Sequence, residues 1–318
     1  MNIVVLERHS VGVDVDVDGL KEFGDVTYYR NTTLDEVAQR VVDADIIVAN
    51  KSPLNESTLK DAHNVKLIAE FATGYDNVDL EYCRKRNIAV CNVRNYSTAA
   101  VAQHTFAMLL YLLEHLRHYD EYVKGGQYGA QDRFSNFDNP FCELEGKVWG
   151  IVGLGNIGKK VAAIAREFGC RVICCSASGR KLEDGYEQVD LDTLLAQSDV
   201  VSLHCPLTDK TMNLIDKDAL SKMKPTAYLI NVARGRVVNN EDLYDALVNN
   251  VIAGAGLDVI TDEPIRSSNP LSTLMDSDKL IITPHLAWAS VEARQRCVDM
   301  TCDNIRAFIA GNPINVVN

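Results

Sequence analysis

The run Val148-Trp149-Gly150-Ile151-Val152 passes directly into Gly153-Leu154-Gly155-Asn156-Ile157-Gly158 and then into Lys159-Lys160-Val161-Ala162-Ala163-Ile164. A strand, a three-glycine turn and a helix in immediate succession predict a parallel α/β layer, since the helix must recross the sheet before the next parallel strand begins. Glycines at this spacing have separate mechanical tasks. Gly153 permits the tight turn, Gly155 lets backbone approach a pyrophosphate, and Gly158 lets the helix sit close to the sheet with its amino-terminal amides toward an anion. Such glycines also mark ordinary turns, but here the strand before them and the helix after them match the demands of a dinucleotide loop.

The same alternation runs through the chain. Residues 3–6, 26–29, 46–49, 67–71 and 89–93 read as strands separated by helical patterns, which predicts a parallel, flavodoxin-like sheet. A long helical segment starts near Ser97, with Val101, Phe106, Leu109, Leu110 and Leu113 at helical spacing, and suits a helix leaving one domain for another. Residues 125–140 mix Gly, Asn, Asp and aromatics and read as an irregular arm or long loop. A second series of strands follows from Val148 through 172–175, 200–203, 227–230, 252–257 and 280–282, and residues 289–309 close the chain as a helix with charges on one face. The expected fold class is therefore α/β, with two doubly wound parallel-sheet domains.

Composition narrows the function. With 318 residues, 47% hydrophobic and 24% charged, the chain has room for two cores, and a net charge of −12 argues against a nucleic-acid binder. Nine cysteines form no Cys-x-x-Cys pair and no zinc-spaced cluster, so no metal is expected and free thiols in a reducing cytoplasm are. Neither an export leader nor a membrane span is expected from the pattern that begins at Ile3-Val4-Val5-Leu6.

Three later stretches set polar residues after apolar runs: Asn231-Val232-Ala233-Arg234-Gly235, Gly256-Leu257-Asp258-Val259 leading to Glu263, and Thr283-Pro284-His285-Leu286-Ala287-Trp288. In an open parallel sheet the carboxyl ends of the strands meet at the ligand crevice. An arginine can grip a 2-oxo acid and polarise its carbonyl, a histidine can deliver a proton as hydride arrives, and a glutamate can hold the imidazolium and orient it. Taken singly, Arg234, Glu263 and His285 also fit a surface charge, a turn acid and a loop histidine. Together, in order behind a nucleotide loop, they point to catalysis. His104, His115 and His118 read as packing or surface residues of the long helix, and His204 as a structural or adenine-adjacent residue.

These motifs, with Ala72-Thr73-Gly74-Tyr75-Asp76-Asn77-Val78-Asp79 and His204-Cys205-Pro206-Leu207-Thr208, resemble end to end the D-isomer-specific 2-hydroxyacid dehydrogenase family. Val101-Ala102-Gln103-His104-Thr105-Phe106 and Pro284-His285-Leu286-Ala287-Trp288-Ala289 are most similar to its glycerate dehydrogenase (hydroxypyruvate reductase) branch. The resemblance implies that Arg234 binds substrate, that His285 is the acid/base and that Glu263 is its partner. It further implies that the amides near Thr73 and Gly74 receive the substrate carboxylate, and that Asp258 and the backbone through Ala287 hold the nicotinamide amide. Asn156, Ile157, Cys205, Pro206, Thr211, Val232 and Ala233 complete the implied cofactor set. Lys51 is a candidate to attract the carboxylate, although a solvated lysine fits equally. By the same analogy a Rossmann domain (99–285, with a dimerisation arm at about 119–146) is inserted into a flavodoxin-like substrate domain (1–98 and 286–318). The implied activity is reduction of hydroxypyruvate or glyoxylate to the D-hydroxy acid by a cytoplasmic homodimer that binds neither nucleic acid nor membrane. The alternatives are D-lactate-type, phosphoglycerate and formate dehydrogenases, and a dinucleotide-responsive corepressor of the same fold.

Cofactor preference turns on one position. After the strand 171–175 the NAD-specific pattern has an acid for the ribose hydroxyls, and here the chain reads Ser176-Ala177-Ser178-Gly179-Arg180. Ser176, Ser178 and Arg180, with Lys181, resemble an NADP-type pocket, so NADP(H) is favoured, with NAD(H) as the alternative. Glu183 and Asp184 remain alternative acids for the ribose.

Overall fold

A computed structural model describes residues 1–176, 179, 181 and 185–318. Met1–Ser97 together with Trp288–Asn318 form one compact unit, and Thr98–Ala287 form the other.

The first unit is built on a five-stranded parallel sheet of β1 (Asn2–Val5), β2 (Asp25–Tyr28), β3 (Ile46–Ala49), β4 (Leu67–Glu70) and β5 (Ala89–Cys91), in the order β2-β1-β3-β4-β5. This is the flavodoxin-like order expected from the alternation. Every residue of β3 and β4 is buried, whereas β2 at the edge is half exposed, which is why the central strands read as unbroken apolar runs. The closing helix Val291–Ile309 belongs to this unit. It is capped by Ser290, whose side chain accepts from Ala293 N, and it buries Cys297, Val298, Thr301, Cys302, Asn304 and Ile305.

The second unit holds a seven-stranded parallel sheet: β6 (Val148–Val152), β7 (Arg171–Cys175), β8 (Glu187–Gln188), β9 (Val200–Leu203), β10 (Tyr228–Asn231), β11 (Gly254–Leu257) and β12 (Leu280–Ile282). Their order is β12-β11-β10-β9-β6-β7-β8, so strand order reverses between β6 and β9 and opens a crevice at their carboxyl ends. Strand β8, two exposed residues at the sheet edge, was not expected, because it lacks an apolar run. Trp149 on β6 is fully buried and packs on Phe106 of the helix Thr98–Leu113 with ring centroids 4.6 Å apart.

The segment expected to be irregular from 125 to 140 contains one helical turn, Gln127–Ala130. It follows the helix Leu116–Lys124, which buries none of its residues. Among the described residues no helix is long and apolar enough to cross a membrane.

Candidate active site

The glycine loop has the mechanical properties its spacing demands. Gly153 has φ of +96°, and a Cβ there would lie 2.7 Å from the Cys205 nitrogen. A Cβ on Gly158 would collide with the Gly153 carbonyl, so that glycine seats the helix Asn156–Glu167 on the turn. Gly155 differs. Its φ of −81° is ordinary and a Cβ would meet nothing within 4 Å, so the protein's own packing does not demand glycine there. The space kept open at a helix amino terminus, at the point where strand order reverses, fits a dinucleotide pyrophosphate.

The flanks of this loop divide into groups that brace it and groups that line it. Cys205 is 3% exposed behind Gly153. Thr211 is buried and its hydroxyl donates to the Pro206 carbonyl at 2.7 Å, so it stiffens the turn after β9. Beyond β7, Cys175, Ser176, Gln188, Asp190, Leu191 and Leu214 line a cleft of about 790 Å³. Its acid, Asp190, is engaged: the carboxylate accepts from Thr193 N and Thr193 Oγ1 at 2.8 Å each, and these bonds hold its pKa below the usual carboxylate range. Ser178 and Arg180, and with them Glu183 and Asp184, lie outside the described residues.

Arg234, Glu263 and His285 follow β10, β11 and β12, three neighbouring strands. The turn carrying Arg234 is braced by the fully buried Asn231, whose amide donates to the Arg234 carbonyl at 3.0 Å and accepts from Ala233 N at 3.0 Å. Val232 is half-buried in the same turn. A Cβ on Gly235 would collide with the Ile260 carbonyl, so the turns after β10 and β11 press backbone on backbone. Glu263 is tied to that second turn through Ile260 N, which donates to its Oε1 at 3.3 Å. Its other oxygen lies 2.7 Å from His285 Nδ1, with the two side chains 36% and 28% exposed. A carboxylate at that distance, by accepting from Nδ1–H, orients the ring and leaves Nε2 as the nitrogen free to exchange a proton.

His285 itself has φ of +53°, and the strained turn is held from below by Asp258. His285 N donates to the Asp258 carbonyl at 2.9 Å, Leu286 N to Oδ1 at 2.8 Å and Ala287 N to Oδ2 at 2.9 Å. Thr283 Oγ1 donates to Oδ1 at 2.7 Å, and His104 Nε2 lies 2.9 Å from that hydroxyl. With the hydroxyl proton committed to Asp258, His104 donates from Nε2. Burial pushes the His104 pKa down against the opposing pull of Asp258. His104 was expected to be a packing or surface residue; its partners Asp258 and Thr283 stand more than 150 positions later in the chain, and no local pattern links them. His204 is no proton donor, because burial lowers its pKa to about 3 and its Nε2 pairs with Ser202 Oγ at 3.0 Å.

Thr73, Gly74 and Lys51 belong to the first unit. The turn after β4 is tied to the end of β5: Thr73 Oγ1 donates to the Val93 carbonyl at 2.7 Å and Asn92 Nδ2 to the Thr73 carbonyl at 2.7 Å. The backbone N–H groups of Thr73 and Gly74 donate to none of the described residues, which leaves a pair of adjacent donors. Lys51 is exposed, and its backbone N donates to the buried Glu7, which also accepts from Asn50 N, Ser52 N and Ser52 Oγ. Glu70, at the end of β4, is fully buried, and that burial pushes its pKa up to about 8. Sequence patterns gave no sign of Glu7, Glu70 or Asn92, whose roles depend on partners in other strands.

Residues 106–287 match the family model for the D-isomer specific 2-hydroxyacid dehydrogenase NAD binding domain. The chain is 38% identical to a hydroxypyruvate reductase from Blautia hydrogenotrophica over 100% of both chains. It is 39% identical to a glycerate dehydrogenase from Methylorubrum extorquens over 99% of this chain and 98% of that one. Among solved structures, an acyclic imino acid reductase in complex with NADPH and D-Arg is 30% identical, with a TM-score of 0.88 over 100% of both chains.

Proposed function

The chain belongs to the D-isomer-specific 2-hydroxyacid dehydrogenase family, and from that premise we propose that it reduces hydroxypyruvate or glyoxylate, with NADPH preferred over NADH. It is an oxidoreductase that uses a nicotinamide dinucleotide and acts on a small 2-oxo acid. The glycine loop would hold the pyrophosphate of a nicotinamide dinucleotide, a cofactor that would supply or accept hydride when bound.

The 2.7 Å pairing of His285 with Glu263 carries this reading, since reduction of a carbonyl needs a proton at oxygen as hydride reaches carbon. His285 gives that proton from Nε2, and Glu263 steadies the charged ring beforehand. Arg234 grips the substrate and polarises its carbonyl, the N–H groups of Thr73 and Gly74 receive the carboxylate, and Lys51 adds attraction. Asp258, with the backbone through Ala287, presents the nicotinamide amide with partners, and Asn156, Ile157, Pro206, Val232 and Ala233 line the same cofactor. Support for NADPH comes from Ser176 standing where an acid would repel a 2′-phosphate.

An assay following oxidation of NADPH and of NADH with hydroxypyruvate and with glyoxylate tests the proposal. Turnover of both acids with higher kcat/KM for NADPH is expected; no turnover of either acid rejects it.

We also propose a homodimer that covers the arm. Phe134, Phe137 and Phe141 are 88%, 71% and 59% exposed beside a helix that buries nothing of its own, an apolar surface that a partner copy would remove from water. Light scattering should give about twice 35.2 kDa, and a mass of 35.2 kDa at micromolar concentration removes the idea.

A further inference from the structure

The turn that offers the Thr73 and Gly74 amides is flanked by cations on both sides. In the five-stranded sheet β3 and β5 are the two neighbours of β4; Lys51 stands just past the end of β3 and Arg94 just past the end of β5. Arg94 Nε donates to Asn92 Oδ1 at 3.3 Å, and the other end of the same amide donates to the Thr73 carbonyl at 2.7 Å. One side chain thus ties the guanidinium to the turn. That side chain is 3% exposed and fixed from behind, for Asn92 N donates to the Asn315 carbonyl at 3.2 Å and its own carbonyl accepts from Asn304 Nδ2 at 2.9 Å. Asn304 is fully buried and accepts from Asn315 Nδ2 at 2.8 Å, which closes the bracket.

The nearby acids have their hydrogen-bonding oxygens engaged by other groups. Glu7 spends its carboxylate on the backbone and hydroxyl of residues 50–52. Glu70 is fully buried, accepts from Asn77 Nδ2 and has its pKa pushed up to about 8 by that burial, Asp79 caps the helix Leu80–Lys85, and Asp76 has a partner of its own. Among the described residues neither Lys51 Nζ nor the terminal nitrogens of Arg94 make a hydrogen bond or ion pair, and Lys51 acts on the Glu70 carboxyl through space. Two cations flank one carboxylate-binding turn, and the terminal nitrogens of Arg94 are left without a hydrogen bond or ion pair among the described residues, more than a monoanion requires. The terminal nitrogens of a guanidinium form a fork that matches a carboxylate.

We propose that Arg94, held by Asn92 and assisted by Lys51, is a specificity residue that favours 2-oxo acids bearing a second carboxylate beyond the reacting carbonyl. This rests on the reading that the Thr73 and Gly74 amides take the first carboxylate.

The test compares kcat/KM for hydroxypyruvate, oxaloacetate, 2-oxoglutarate and 3-phosphohydroxypyruvate in the wild type, Arg94→Ala and Arg94→Lys. The wild type should reduce at least one dicarboxylate. Arg94→Ala should lower that value about 10- to 100-fold, corresponding to a lost charge-assisted contact, while leaving hydroxypyruvate within about twofold. Arg94→Lys, which keeps charge without the fork, should fall between. Equal effects on mono- and dicarboxylates, no effect on either, or wild-type reduction of hydroxypyruvate with neither dicarboxylate would each overturn the assignment. A selective loss confined to the phosphorylated acid would overturn the carboxylate choice. A wild type that reduces no 2-oxo acid at all defeats the functional reading itself, which separates the two failures.

Discussion

The carboxyl edges of the two sheets use charged groups in opposite ways. On the seven-stranded sheet the Glu263–His285 pair is about one-third exposed, and the two ionisable groups lie 2.7 Å apart. On the five-stranded sheet the acids are withdrawn: Glu7 is saturated by backbone donors and Glu70 is fully buried, which pushes its pKa up to about 8. A proton donor must exchange protons during each turnover, and partial exposure beside a counter-charge allows that. A recognition surface gains from fixed donors whose charge does not vary, as backbone amides and cations provide. The first edge is thus suited to moving a proton and the second to reading an anion.

The sharpest way to break this division is to remove the proton donor. His285→Ala should lower the rate of 2-oxo acid reduction by about two to four orders of magnitude, while cofactor affinity, read by quenching of protein fluorescence, stays near wild type. Near-normal turnover would place the proton donor elsewhere.

Arg234→Lys comes next. It preserves charge but loses the planar fork, so kcat/KM should fall about 10- to 100-fold, with a larger share in kcat if the contact strengthens as charge develops on the carbonyl oxygen. A pure rise in KM would reduce Arg234 to uniform substrate binding.

Ser176→Asp probes the cofactor rather than the acid/base pair. Restored repulsion of a 2′-phosphate should lower the NADPH to NADH ratio of kcat/KM by at least about tenfold. An unchanged ratio would mean that the turn after β7 does not discriminate.

The smallest effect concerns the other edge. Burial raises the Glu70 pKa from the ordinary 4.5 to about 8, so the folded protein binds this proton more tightly than the unfolded chain. Its contribution to stability is full below about pH 4.5 and is lost as pH rises through about 8. Glu70→Gln should therefore flatten the decline in unfolding temperature across that interval. A decline of the same steepness in both proteins would mean that Glu70 is not the group responsible.

Much of this architecture was legible because it is written locally. Apolar runs marked every strand except β8, whose Glu187 and Gln188 lie exposed at the sheet edge and carry no hydrophobic signal. The glycine spacing located the loop, and the distances at Gly153, Gly155 and Gly158 explain each glycine separately. Arg234, Glu263 and His285 were visible as polar residues after strands, and the structure brings the last two together. What stayed hidden was long-range. His104 meets Thr283, Asn304 meets Asn92, and Glu7 meets residues 50–52, pairings that no helical or strand period encodes. Exposure at the arm was equally invisible as a number, although its aromatics stood out in composition.

The division between the two edges is tested most directly by the pH dependence of kcat/KM for hydroxypyruvate reduction in the wild type, Glu263→Gln and Glu70→Gln, measured side by side. Reduction needs the protonated imidazole, so loss of the Glu263 carboxylate should move the high-pH fall in rate toward lower pH. Glu70→Gln should leave that limb in place. A limb that follows Glu70, or one that moves in neither variant, would contradict the assignment of proton transfer to the edge that carries His285.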